Sequence, residues 1–575
     1  MSTVIHAAVE RELDAAFAAL GLGAIPARLV PCPASEMGDA AIQAALPAAR
    51  ILRKPPIAIA ADIASAIEGI AGVASAEVAH PGYVNLRFDD RAIAAALMAE
   101  AGRICPVDTP ERMILDFGGP NLGKALHVGH LRSFVIGESL RRMLIAVGHD
   151  VISDAHLGDW GLPCGQIVCE IRRRHPGAPW FEDGTEGPFP KELPVPDQDL
   201  DVLYPAASAA CKADAGLLAE ARIMTAAIQA GDPGPAALWA LFASRAKLAV
   251  RRACGRLGVG YDLFLGEADA QAAVPQTLAM FEDAGVVRHD GAALLVDLAE
   301  TTDRKPMPPL VLSRGDGSAL YATTDLATIL QRARDPKLAR VLYVVDARQH
   351  LHFEQVFRAA GKAGLASGVA FEHLGFGTVD GPDGKPLRTR DGGVMRLDDL
   401  LDEAVEKARA VAADKPGVDA RATAEAVGMA ALKIADLSGN RTNGYVLDLD
   451  RALAFEGHTG PYLLYALVRL RTLLAKVEAG PGPVVLGHAA ERRLALAVLG
   501  FGPAVHRAAA GRAPHELVAY GFPLAAELSR FYVECPVGSE PDDAVKASRI
   551  AICRATEGVL ARVIDLLGCE VPAAM

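Results

Sequence analysis

Met-Ile-Leu-Asp-Phe-Gly-Gly-Pro-Asn-Leu-Gly-Lys-Ala-Leu-His-Val-Gly-His-Leu-Arg-Ser, residues 113–133, opens with an apolar run of the length of a buried parallel strand. Gly118 to Gly123, rich in Gly, Pro and Asn, then breaks any regular element. Beyond it lies His127-x-Gly129-His130, followed by a sequence that reads as helix up to Gly148. Two histidines and a lysine, Lys124, therefore sit where a strand hands over to a helix N-terminus. In an open α/β sheet that is where phosphates and ligands bind.

Working outward, residues 1–108 read as a small α/β module. Helical periodicity runs over 4–20 and 37–67, and an alternating strand over 83–88 follows the turn His80-Pro81-Gly82. From Arg112 the pattern becomes strand–helix alternation, which predicts a mostly parallel, doubly wound sheet over 109–397. An insertion around 170–260 begins with a polar, Pro-rich stretch at 174–199 and continues with helices at 202–230 and 235–257. Strand-like runs return at 292–297, 309–313 and 341–345. Beyond Leu397 the β signal stops. Segments 398–413, 420–437, 459–478, 489–510, 514–533 and 541–568 are helical by period, predicting an all-α bundle over 398–575.

Composition narrows the class. The chain has 575 residues, too many for one core. Its mean hydropathy is +0.22, but charges interrupt every apolar run well short of the roughly 18 residues a spanning helix needs. Glu10, Glu12 and Asp14 stand where a signal peptide would be basic and then apolar, so a soluble, cytoplasmic protein is expected. Nine cysteines are scattered without a C-x-x-C pair, which argues against a zinc cage or a disulfide framework. A net charge of −12 speaks against indiscriminate coating of nucleic acid, and leaves room for a specific RNA held by a local basic patch.

His127 and His130, spaced i, i+3 on a first helical turn, share a face near the free backbone N–H groups. Gly129 removes a side chain between them, so a flat ring or a phosphate can approach the backbone. That arrangement suits ATP, with imidazoles stabilising charge that builds on the α-phosphate. No G-x-x-x-x-G-K-[ST] occurs, so a P-loop enzyme is not supported. On spacing alone, a pair of helix-capping histidines explains H-x-G-H equally well. Tyr462, Tyr465 and Arg469 share one face of a bundle helix, which suits stacking of unpaired RNA bases or packing in the core.

The wider context resembles a family. Residues 116–133 resemble the HIGH motif of class I aminoacyl-tRNA synthetases, the arginyl-tRNA synthetases in particular. The likeness continues through Gly158-Asp159-Trp160-Gly161, Tyr321-x-x-x-Asp325, Tyr343-Val344-Val345-Asp346-x-Arg348-Gln349 and the stretch from Gly384-Lys385 to Arg388-Thr389-Arg390. In the bundle it includes Ala431-Leu432-Lys433, Ala435-Asp436-Leu437 and Thr459-Gly460-Pro461-Tyr462. Departures are Gly118-Gly119, Thr324, His458 and Leu464, and the tail ends without an arginine before Met575.

The resemblance implies a class I Rossmann-like catalytic core, an N-terminal domain that contacts the tRNA elbow, and an anticodon-binding bundle. It implies ATP-dependent activation of L-arginine to arginyl-adenylate, with magnesium, and transfer to the 3′ end of tRNA(Arg), activation itself being tRNA-dependent. Arginine would be held by Asp116, Asn121, Tyr321, Asp325 and Gln349; a guanidinium is a planar fork of donors best met by carboxylates. ATP would be held by His127, Gly129 and His130, with Lys124, Lys385 and Arg388 supplying phosphate charge in catalysis. Tyr462, Tyr465 and Arg469 would touch the anticodon. A monomer without a protein-held metal is expected. Two rival readings are a tRNA-independent small-molecule ligase or nucleotidyltransferase on the same scaffold, and a non-catalytic RNA-binding paralogue.

Overall fold

A computed structural model describes the chain except residues 1–3, 33–36, 183, 197–198, 314–319, 382, 386, 388–394 and 412–418. At its centre lies a four-stranded, all-parallel sheet in the spatial order Ala370–His373, Leu338–Val344, Arg112–Phe117, Asp150–Asp154. Met113, Leu115, Phe117, Val341, Leu342 and Val344 are buried, as expected of strands covered on both faces. The chain leaves Arg112–Phe117 toward one edge and returns to Leu338–Val344 on its other side. The crevice at the carboxyl ends of these two strands is therefore the topological switch point, where open α/β sheets place ligands.

The sheet is smaller than the sequence suggests. The expected strands at 292–297 and 309–313 do form, as Ala293–Val296 and Leu310–Ser313. They join Val287–Asp290 in a separate antiparallel sheet rather than the parallel one. The turn at Gly291 (φ 61°) lets Val287–Asp290 fold straight back on Ala293–Val296, and such a hairpin needs no crossover helix. Between the second and third core strands four helices, Leu162–Arg174, Leu200–Ala213, Ala215–Ala230 and Pro233–Arg256, build the insertion.

The N-terminal residues form a four-stranded antiparallel sheet, Leu29–Pro31, Ala40–Ile42, Tyr83–Phe88, Val73–Ala79, covered by Val4–Ala19, Pro56–Ala66 and Asp90–Glu100. The continuous helical reading of 37–67 is corrected. Ala40–Ile42 is a strand, and helices Ala45–Leu52 and Pro56–Ala66 are split before Pro56, because Pro55-Pro56 cannot donate within a continuing helix.

From Leu397 to Leu566 the described residues are mostly helical, with one two-residue strand, Tyr445–Val446, paired in parallel with Val379–Asp380. Two helices more than expected appear among the described residues: 489–510 divides at Gly500 into Ala489–Leu499 and Phe501–Ala510, and a short helix, Leu449–Ala452, forms where none is expected. Buried ion pairs fasten this bundle to the core. Arg132, in the histidine-bearing helix Val128–Ala146, donates to Asp436 at 3.1 Å and to the Asn443 carbonyl at 2.7 Å, with both charged side chains almost wholly buried. Arg492 of the bundle grips Asp39 of the N-terminal sheet through two nitrogens, at 2.6 and 2.7 Å.

Candidate active site

The first core strand ends on Phe117, and the next turn leaves no room for side chains. Gly118 has φ +65°, and a Cβ there would lie 2.3 Å from the Phe134 ring and 2.5 Å from the Tyr261 hydroxyl. At Gly119 a Cβ would meet the His156 carbonyl at 2.0 Å. The departure at Gly118-Gly119 is thus dictated by packing in this chain. Ser133 donates to the Val344 carbonyl and accepts from the Gly118 N–H, both at 2.7 Å, and so binds the turn, the helix and the third strand together.

His127 is the N-cap of helix Val128–Ala146. Its Nδ1 accepts the Gly129 N–H at 3.1 Å, while His130 Nδ1 accepts the His127 N–H at 3.0 Å, a reciprocal capping box. Burial, the first cause, and then Lys124 and Arg348 lower the pKa of His127. Burial and then His127 bring His130 down to about 4. Both rings are therefore neutral near pH 7, with Nδ1 occupied as an acceptor and the proton left on Nε2. Two neutral N–H donors 4.0 Å apart by ring centroid suit a phosphate without demanding a proton. The capping reading and the ligand reading of H-x-G-H coexist, since capping by Nδ1 is what fixes the tautomer.

A cleft of about 570 Å³ opens at the switch point. It is lined by Asp116, Asn121, His127, Gly129, His130, Tyr321, Asp325 and Gln349, so eight of the residues singled out in the sequence share one cavity. Lys124 is not among the lining residues and lies 5.2 Å from the Tyr204 ring. Lys385 is exposed on a turn, its N–H on Asp383 at 3.1 Å, and also lies outside the lining. Arg388 falls outside the described residues. Described residues further along the chain are stitched to the motif, with Val128 N–H on the Met395 carbonyl at 3.1 Å and Leu397 N–H on the Leu126 carbonyl at 2.8 Å.

One expectation is corrected in detail. Asp116 does not stand free to grip a guanidinium, because its Oδ2 already accepts from Arg332 Nη2 at 2.6 Å, and the same nitrogen reaches Asp154 Oδ2 at 2.7 Å. Arg332 is 7 % exposed. Asp116, Asp154 and His156 form the one cluster with metal-ligand spacing among the described residues, and the Arg332 guanidinium already supplies the cation between its two carboxylates.

Sequence reasoning missed four cleft residues. Arg332 closes the helix Tyr321–Arg332 that begins with Tyr321 and carries Asp325. His156, whose Nε2 lies 3.3 Å from Thr328 Oγ1, precedes Gly158-Asp159-Trp160-Gly161 and was within reach of that motif. His352 pairs with Asp325, its Nε2 2.6 Å from Oδ2. Glu267 carries no periodic or motif signal, and its neighbours are non-local. Its N–H donates to the Leu157 carbonyl, and buried Asp159, paired with Lys247 at 3.0 Å, accepts the Ala268 N–H. Burial first, and the charge of Asp325 second, push the Glu267 carboxyl up to about 8.

In the bundle, Tyr462, Tyr465 and Arg469 line a second cleft of about 270 Å³ with Phe455 and Tyr532. Arg469 stacks on Tyr532 at 3.9 Å. Two departures are explained by packing: Leu464 is 1 % exposed in the bundle core, and His458 stacks on Phe522 at 4.5 Å. No helix among the described residues is long and apolar enough to cross a membrane.

Comparisons with known proteins place the whole chain in a family. Residues 93–449 fit the family described as tRNA synthetases class I (R), catalytic domain. Residues 463–575 fit the DALR anticodon binding domain, and 3–88 the arginyl tRNA synthetase N terminal domain. The arginine–tRNA ligase of Maricaulis maris is 45% identical over 547 residues, 92% of each chain. That of Hyphomonas neptunium is 43% identical over 98% of each. The Thermus thermophilus arginyl-tRNA synthetase structure superposes with a TM-score of 0.78, covering 99% of this chain and all of that one, at 24% identity, a likeness of fold. Neither rival reading finds support in these matches. With three domain families in order and relatives alike along nearly their whole length, the chain belongs to the arginyl-tRNA synthetases.

Proposed function

We propose that this protein activates L-arginine with ATP and transfers the arginyl group to the 3′-terminal ribose of tRNA(Arg), releasing AMP and diphosphate. The observation that carries the reading is the single cleft in which two neutral imidazole donors face a group of carboxylates across the sheet's switch point. Arginine's guanidinium enters toward Asp325, Glu267 and Tyr321, and its polar backbone groups toward Asn121 and Gln349. Its carboxylate then attacks the α-phosphate in line. His127 and His130 donate through Nε2 to the oxygens on which charge builds, and the leaving diphosphate is met by Lys124, Lys385 and Arg388. Such catalysis is positioning and charge stabilisation, with no covalent enzyme intermediate.

Magnesium is read as arriving on ATP and neutralising its phosphates. The nearby acids favour this over a protein-held ion, since Asp116 and Asp154 bind Arg332 and Asp346 binds Arg348 at 2.7 Å. The bundle cleft, with its aromatic rings and Arg469, takes anticodon bases by stacking. We read the divisions as 1–108, 109–397 and 398–575, and the protein as a cytoplasmic monomer. Aminoacylation of total tRNA with each amino acid tests the function, with charging by arginine alone as the expected result and charging by none as refutation. ATP–diphosphate exchange with and without tRNA tests tRNA-dependent activation, and equal rates would refute it.

A further inference from the structure

Asp325 and His352 come from different helices, Tyr321–Arg332 and His350–Lys362, and meet at the wall of the cleft. Among the described residues His352 is the one hydrogen-bond partner of the Asp325 side chain, with Nε2 2.6 Å from Oδ2. Both side chains are about 30% exposed, so neither is locked by burial. The His352 ring is instead held by an edge-on contact with Phe353, 5.5 Å between centroids. Gln349 precedes His352 by three residues, which sets both at the start of the same helix and on one side of it. A carboxylate with two free torsions binds a planar guanidinium poorly unless one oxygen is fixed, since a bidentate grip depends on the carboxylate plane.

We propose that His352 is a positioning residue of the arginine site, holding Asp325 Oδ2 through its Nε2–H so that the carboxylate presents a fixed plane to the substrate guanidinium. The inference rests on the assignment of Asp325 to the arginine site made above. His352 touches neither reacting atoms nor ATP in this role. It acts on arginine affinity through Asp325, and the neutral ring suffices as donor. The titratable groups around the pair are Glu267, which faces Asp325, and Glu354, which is taken up by Arg358 at 2.6 Å and lies 3.7 Å from the neighbouring His350 rather than pairing with His352.

The test is steady-state kinetics of tRNA-dependent ATP–diphosphate exchange on the full-length enzyme with His352→Leu, His352→Gln, Asp325→Asn and the double variant Asp325→Asn/His352→Leu. His352→Leu is expected to raise the KM for arginine about tenfold or more, with kcat and the KM for ATP within about threefold of wild type. Glutamine, whose amide nitrogen falls near the position of Nε2, is expected to recover most of the loss. The double variant is expected to match Asp325→Asn, because His352 has nothing to hold once the acceptor is altered. Equal rises in both KM values, or no rescue by glutamine, would overturn the proposal. If Asp325→Asn raises the arginine KM while His352→Leu does not, only the positioning role fails. If Asp325→Asn leaves that KM unchanged, the assignment of the arginine site itself fails.

Discussion

Glu267 gives a prediction whose sign and size both follow from its surroundings. Its carboxyl is raised to about 8 by burial and by the nearby Asp325 charge, so in the empty cleft near pH 7 it is protonated. A guanidinium is best met by an ionised carboxylate, so binding arginine must expel that proton. One pH unit below the pKa the ionisation costs about 1.4 kcal/mol, a factor of ten in affinity. The KM for arginine should therefore fall about tenfold from pH 7 to pH 9, with a slope of log KM near −1 below pH 8. Calorimetric titration of arginine at pH 7 in buffers of different ionisation enthalpy should show release of roughly 0.9 proton. In Glu267→Gln both the slope and the proton release should largely vanish, and arginine should bind at least about tenfold more weakly at pH 9. A residual shallow limb on the acid side is expected from His352, which its bond to Asp325 raises above its ordinary value. Stability should move the other way. A carboxylate with a raised folded pKa loses stabilisation as pH rises from its unfolded value near 4.5 to about 8, so the glutamine variant should melt higher than wild type at pH 8. A wild-type KM flat between pH 6 and 8, or a slope that survives in Glu267→Gln, would refute the reasoning.

Replacing His130 by Ala should lower kcat of activation by about 10²–10³, the usual effect of losing one preorganised donor, and should also weaken the cap of helix Val128–Ala146. Arg132→Met strands buried Asp436 without its cation and should destabilise the protein by about 3–5 kcal/mol, read by denaturant unfolding; Arg132→Met/Asp436→Leu should regain part of it. Gly118→Ala forces a Cβ to within 2.3 Å of Phe134 at a positive φ, and should cost about 2–4 kcal/mol by the same measurement. Arg469→Ala, in the bundle cleft, should raise the KM for tRNA several-fold and leave that for arginine within twofold.

The parts of the site that could be seen in the sequence are those whose chemistry is local. The strand, the glycine turn and H-x-G-H are contiguous, and their residues converge because the turn itself aims them. Asp325 and Gln349 were visible because each lies at or within the first turns of a helix, inside a recognisable block. Glu267 was not visible, because its place depends on Leu157 and Asp159, more than 100 residues away in the chain. The three-stranded antiparallel sheet was misread for a related reason. An apolar run of four residues carries no mark of whether its partner lies in the same hairpin or across a crossover. Arg332 was hidden at the far end of a helix whose near end carried the signal.

Arg332 also explains how the proposed site for arginine can hold an arginine of its own. Besides Asp346, which pairs with Arg348 at 2.7 Å, four carboxylates gather in or beside the cleft: Asp116, Asp154, Asp325 and Glu267. Were all four ionised with no internal cation, their mutual repulsion in a half-dry cavity would be severe. Arg332 takes two of them, Asp116 and Asp154, by 2.6 and 2.7 Å bonds at the floor, and His352 leans on a third. What remains for a ligand is Asp325 and Glu267, of which burial and the nearby Asp325 hold Glu267 protonated up to about pH 8. The empty cleft answers that excess with a proton on Glu267, and the substrate guanidinium answers it with its own charge. A neutral side chain of the same length would leave the proton in place and the Asp325 carboxylate unmatched, so discrimination against uncharged analogues such as citrulline should widen as the pH rises toward 8.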